Sequence, residues 1–189
     1  MTDTRDTKKQ ILDLAESLLL DRGYNGFSYK DIAAALGIKT ASIHYHYPRK
    51  TDLGVSIVER AIRRFEKWRL SLEHRNLDSS RKIDEFCSLF KSFASRQQVC
   101  LGGALQTDFK TLPGEMQQKS CEFASVLLQW LEGLLRDGRK TGAFRFPGEA
   151  RDQAVLIISS LQGSIQMDRV TSRSSFRSAV RQITLSVSP

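Results

Sequence analysis

Cysteine is scarce. Cys87, Cys100 and Cys121 are odd in number and lack a framework spacing, so a disulfide-stapled secreted fold is excluded and a reducing compartment is expected. Long apolar runs are missing as well: none approaches the ~18 residues that suggest a membrane span. The chain is polar and charged through Gln10, unlike a signal peptide. These absences point to a cytoplasmic protein with no membrane partner. No stretch alternates as a strand does, and there is no repeat or low-complexity tract. The signatures of common chemistries are also lacking: no Gly-x-Ser-x-Gly elbow, no phosphate-cradling glycine loop, no zinc spacing. No catalytic residue, cofactor or metal is expected, and an enzyme is disfavoured.

What is present is a basic chain of ordinary globular composition. The net charge is +8, with 40% hydrophobic and 26% charged residues. A basic excess suits a polyanion such as nucleic acid or an anionic membrane. Its local pattern is more telling. No acid lies between Asp31 and Asp52, while Lys39, Arg49 and Lys50 are basic.

Helical periodicity runs throughout. Ile11, Leu12, Ala15, Leu18 and Leu19 predict a first helix over Thr7 to Asp21, ended by Gly23. Ser28 is an N-cap candidate, with Asp31 three residues on, for a helix that stops by Leu36. A third helix covers about Lys39 to His46 and is broken by Pro48. The stripe Leu53, Ile57, Val58, Ala61, Ile62, Phe65, Trp68 and Leu72 predicts a long helix over Lys50 to His74. Asn76 to Ser80 is a polar break suited to a domain boundary. Beyond it lie a helix around Ile83 to Ala94, a short apolar segment Leu101 to Phe109 and a turn at Pro113–Gly114, where Pro113 also suits the first turn of a new helix. Three more helices follow: one through Met116 to Leu135, one opened by Pro147, and a last from about Ser174 to Val187.

Residues 28 to 47 have the grammar of a helix-turn-helix. Ile32, Leu36, Ile38 and Ile43 supply apolar faces, Ala33 leaves room for a second helix, and Gly37 sits where the chain turns and needs φ above zero. Such a unit lays its second helix in the major groove. Lys39 can donate to guanine O6 or N7, the Thr40 methyl can meet a thymine methyl, and Ala41 and Ser42 are short enough for close approach. The aromatic Tyr47 suits the core beneath the helix. His44 and His46 look like a metal pair, but helix residues two apart point in different directions. The bland rival is a plain helical hairpin, and for Lys39 a solvated surface lysine.

Ile11-Leu12-x-Leu14-Ala15, Gly23-Tyr24, Asp31-Ile32-Ala33, Leu36-Gly37-Ile38 and His44-Tyr45-His46-Tyr47-x-x-Lys50-x-x-Leu53, taken together, resemble the TetR family of bacterial transcriptional regulators. The resemblance runs from about Thr7 to Leu53. It implies an all-α protein in which an N-terminal three-helix helix-turn-helix domain is linked by a long helix to a larger helical domain. Residues 1–50 would bind a double-stranded DNA operator. Residues 51–189 would bind a small effector and form a homodimer through the last two helices. His44 and Tyr45 would contact phosphate, as would Lys50, and Ser28 and Tyr29 at the start of the second helix. Two positions depart from the common pattern: Lys39 stands where a small polar cap is usual, and His44 where tyrosine is frequent.

The effector pocket implied by the resemblance lies between the fifth, sixth, seventh and eighth helices, with Phe90, Phe93, Leu105, Phe109, Phe123, Leu127, Trp130 and Ile158 as apolar candidates. Core packing is the competing reading for each. Cys100-Leu101-Gly102-Gly103-Ala104-Leu105 is similar to a segment in family members whose cysteine senses electrophiles or oxidants, so Cys100 joins the candidates. A reactive thiol needs nearby positive charge or a helix N-terminus; a buried inert thiol is the alternative. The function expected is a ligand-responsive, sequence-specific repressor released from a near-palindromic operator. The alternatives are a redox- or electrophile-sensing repressor acting through Cys100, and a helical adaptor that binds protein or membrane.

Overall fold

The structure, a computed structural model, describes residues 4–171 and 175–189. Among these it holds nine α-helices and no strand: α1 (Thr4–Arg22), α2 (Tyr29–Leu36), α3 (Thr40–His46), α4 (Lys50–His74), α5 (Ser79–Ser95), α6 (Leu101–Asp108), α7 (Gly114–Lys140), α8 (Ala150–Val170) and α9 (Ser175–Val187). A 3-10 turn at Phe109–Thr111 follows α6. No helix is long and apolar enough to cross a membrane among the described residues. Two compact units result. One holds the helices up to Arg64 together with Leu101–Phe123; the other holds Phe65–Cys100 and Ala124–Pro189.

In the first unit the expected apolar stripes turn inward. Ile11, Ala15 and Leu19 of α1, Ile32 and Ala33 of α2, Ile43 of α3, and Leu53, Ile57 and Val58 of α4 are buried, as are Leu105 and Met116. Helix α1 packs on α2, α3 and α6. The α1–α2 loop is tied to α6 by Asp108, whose carboxylate accepts the Tyr24 N–H at 2.7 Å and the Asn25 N–H at 3.4 Å. Asn25 Nδ2 also donates to Thr111 Oγ1 at 2.6 Å. Helix α1 is joined to α4 by Arg60, which donates to Asp13, Glu16 and the Leu12 carbonyl.

The second unit is built on α8, which packs on α9 and α5. Its buried face carries Ala154, Ile157, Leu161 and Ile165. Asp168 starts α9: its carboxylate accepts the N–H of Ser175 at 2.8 Å and of Phe176 at 3.2 Å, two of the donors a helix N-terminus leaves open. Ser174, the expected first residue of that helix, lies outside the described residues. Of the two places open to Pro113–Gly114 the structure takes the helix start: Gly114 begins α7, and the Pro113 carbonyl accepts the Gln117 N–H at 3.0 Å. One other boundary is corrected. Pro147 does not open α8. Gly148 has φ +72°, and Arg139 binds the Phe146 and Gly148 carbonyls, so the helix starts at Ala150.

Gly138 of α7 lies against Phe144; a Cβ placed there meets the ring at 2.1 Å. A ring held in a core cannot retreat by that much cheaply. Gly138→Ala is therefore expected to lose about 1–3 kcal/mol in urea unfolding despite alanine's better helix propensity. A stabilised variant would contradict this packing.

Candidate nucleic-acid interface

The second helix of the motif is set by its caps. Asp31 accepts the Ser28 N–H at 2.7 Å and the Ser28 hydroxyl at 2.6 Å, which fixes the start of α2. Those bonds to Ser28 hold the Asp31 carboxyl below its ordinary pKa. At the other end Gly37 takes φ +64°, and its N–H bonds the Ala33 carbonyl, giving the left-handed turn that the sequence demanded. Lys39 then caps α3 with extended backbone and no side-chain bond to the helix. The cap geometry costs its ammonium nothing.

Helix α3 buries Ile43, and Tyr47 just beyond it is buried beneath. Lys39, Thr40, Ala41, His44 and Tyr45 face out, with Ser42 half-buried. Tyr45 is 77% exposed, which leaves its ring and hydroxyl open to a partner. The bounding acids are both engaged. Asp31 holds Ser28, and Asp52 takes the Arg49 guanidinium at 2.6 Å. Arg49 also reaches Glu115 at 3.2 Å, so its charge is spent within the unit.

Two sequence candidates are tethered inside the unit. The Tyr29 hydroxyl donates to the Tyr47 carbonyl at 2.7 Å, and its ring meets His44 edge-on at 4.8 Å. The Tyr29 side chain is therefore engaged within the unit. Lys50 donates to the Tyr24 and Phe27 carbonyls and lies over both rings, 4.5 and 4.3 Å from their centroids. Burial there lowers its pKa. Two of its three N–H donors are occupied, and the residue staples the α1–α2 loop to α4. Lys8, absent from the sequence candidates, sits over the Tyr47 ring at 5.6 Å and is exposed. No pattern in the sequence links a residue in the first turns of α1 to one beyond α3.

The effector candidates do not gather in one unit. Leu105, Phe109 and Phe123 belong to the first; Phe90, Phe93, Cys100, Leu127, Trp130 and Ile158 belong to the second. Trp130 packs against Phe65, Trp68 and Phe86 at 5.0 to 5.7 Å between ring centroids, a filled aromatic cluster. Phe90 joins it through Phe86 at 5.5 Å. An open groove of about 390 Å³ lies instead between α5 and α9, lined by Asp84, Cys87, Ser88, Lys91, Phe176, Arg177 and Val180. Burial and the nearby Asp84 push the Cys87 thiol up to about 12, so it stays protonated. Cys100 is buried just before α6, and Cys121 is exposed.

Known proteins share this arrangement. The family profile "Bacterial regulatory proteins, tetR family" matches residues 11–56. The HTH-type negative transcriptional regulator IcaR of the biofilm operon icaADBC, from Staphylococcus epidermidis, is 35% identical over 77 residues. That match covers 41% of this chain and only 40% of the relative's length. The HTH-type transcriptional repressor BepR of Brucella suis is 25% identical over 85% of this chain and 79% of its own. Among solved structures, a TetR-family regulator from Agrobacterium tumefaciens superposes with a TM-score of 0.93 at 24% identity, covering 99% of this chain and all of the other. A TetR transcriptional regulator from Legionella pneumophila is 33% identical, with a TM-score of 0.84 over 94% of this chain and 95% of its own. With the left-handed turn at Gly37 and an outward α3 already in place, these likenesses make the chain a member of the TetR family of helix-turn-helix transcriptional regulators.

Proposed function

We propose that this chain is a ligand-responsive repressor that binds a near-palindromic DNA operator as a homodimer in the cytoplasm and leaves it when a small effector binds. The observation that carries the DNA reading is the outward face of α3. Lys39, Thr40, Ala41 and Tyr45 are exposed together on the helix that the left-handed turn at Gly37 sets apart from α2. Lys39, Thr40, Ala41 and Ser42 read base edges. His44 and Tyr45 contact phosphate, with Ser28, Tyr29 and the remaining donor of Lys50. Phosphate contacts fix register and base contacts choose sequence. Residues 1–50 are the DNA-binding part and 51–189 the effector-binding and dimerising part. The repressor reading also draws on the names of the relatives, which are repressors or negative regulators.

Two-fold symmetry places the two α3 helices about one helical turn, ~34 Å, apart on one face of the duplex. An effector that favours a different separation opposes DNA by linkage, with a coupling of about 1–3 kcal/mol. The test is fluorescence anisotropy with duplexes tiled across the DNA upstream of the chain's own gene. Lys39→Ala is expected to lose about 1–3 kcal/mol per half-site and to relax base preference. Tyr45→Ala is expected to weaken binding to all sequences alike, and both variants should remain folded dimers. Unchanged affinity in both would remove α3 from the interface.

A further inference from the structure

His44 is exposed on α3, and its Nδ1 faces a group that only accepts. Nδ1 lies 3.1 Å from the Pro48 carbonyl, so a hydrogen bond between them requires the proton on Nδ1. The edge of Tyr29 at 4.8 Å fixes the ring from the α2 side. In the neutral ring Nε2 is then a bare lone pair, which repels a phosphate oxygen. It becomes a donor only when it takes a second proton and the ring becomes imidazolium. We infer that operator binding by this chain is linked to proton uptake at His44: one proton per protomer moves from solvent to Nε2, which then donates to a DNA phosphate. The inference rests on the reading that His44 faces phosphate.

The surroundings favour this ring as the proton site. The groups facing it are the Tyr29 ring, whose hydroxyl is committed to the Tyr47 carbonyl, and the Pro48 carbonyl. At the start of α4 beyond Pro48, Arg49 and Asp52 neutralise one another and Lys50 is turned to the Tyr24 and Phe27 carbonyls. On its own helix His44 is flanked by Tyr45 and His46, whose rings contact each other at 5.1 Å, and by exposed Lys39 at the start. No carboxylate pairs with His44 among the described residues, so the imidazolium gains a partner only when phosphate arrives. Imidazole titrates between about pH 5 and 8, where carboxylates, phenols and ammonium groups ordinarily hold their charge state.

The test measures affinity for a duplex from the chain's own upstream DNA by anisotropy from pH 8 to pH 6 at fixed ionic strength. The wild type is expected to bind roughly tenfold or more tightly at pH 6. Its plot of log affinity against log salt should steepen by about 1.8, two further phosphate contacts per dimer at ~0.9 each. His44→Tyr and His44→Gln, which donate at every pH, should bind with neither change, while His46→Gln should keep both. A pH response that persists in both His44 variants overturns the proposal. Nitrogen-15 NMR of the wild-type imidazoles gives a check that needs no variant. The neutral His44 ring must carry its proton on Nδ1, and a proton on Nε2 overturns the proposal equally. Failure to bind DNA at any pH would instead remove the reading beneath it.

Discussion

Replacing Leu156 and Met167 together by glutamate is expected to leave a folded monomer whose operator affinity is lower by about a hundredfold or more. The reason lies in α8. Its inner face buries Ile157, Leu161 and Ile165, but Leu156, Met167 and Val170 remain 55, 52 and 79% exposed. With exposed Ser159 and Gly163 they recur at three-and-four spacing along the opposite side. Leu185 of α9 is 62% exposed. Soluble monomers rarely present such rows of large apolar side chains. In the proposed homodimer a two-fold axis would set the same patch against itself, so two glutamates per protomer would place four carboxylates at the seam. Joining two reading heads gains about 10²–10⁴ in affinity, and separating them forfeits it. Light scattering after size exclusion, beside the anisotropy titration, checks both parts. A variant that stays dimeric would move the interface elsewhere.

Arg60→Met is expected to cost about 1–3 kcal/mol in urea unfolding, less than the loss of one partner from a fully buried ion pair because Arg60 and Glu16 are part-buried. Arg60 is 14% exposed and Glu16 16%, and the guanidinium serves Glu16, Asp13 and the Leu12 carbonyl together. Without it Glu16 keeps only Arg64, at 2.8 Å and 58% exposed. Asp13 adds a pH signature. Burial lifts its carboxyl, but Arg60 and Lys9 outweigh that and hold it below its ordinary value. A depressed folded pKa gives stability that is complete above the unfolded value, near ~3.9, and fades as pH falls through the folded one. Asp13's share of the difference between wild type and variant should thus be level from pH 5 to 8 and shrink only below about pH 4. A loss under about 1 kcal/mol at neutral pH would mean that the pair behaves as a surface contact.

The local grammar of the chain was legible before the fold was. Leu53 to Leu72 outlined α4 to both of its ends, and Leu36-Gly37-Ile38 required the left-handed turn that Gly37 adopts. Such features depend on neighbours within a few residues. Asp108 on the α1–α2 loop and Arg60 on α1 were not legible, because they pair residues that no helical period connects. Lys50 shows the same limit. Its place at the start of the long helix suggested a phosphate contact, whereas the carbonyls of Tyr24 and Phe27 lie close enough to hold it. The effector set was drawn from the family resemblance and from apolar residues at helical spacing, which mark packing as readily as a pocket. The rings of Trp130, Trp68, Phe86 and Phe65 pack on one another.

The most direct test is a hydroxyl-radical footprint of the wild-type protein on the DNA upstream of its own gene, at two salt concentrations. Two protected patches, one helical turn apart on one face of the duplex and weakened steeply by salt, are the expected result. Uniform protection without sequence preference, or none at low salt, would contradict a symmetric pair of α3 helices reading an operator.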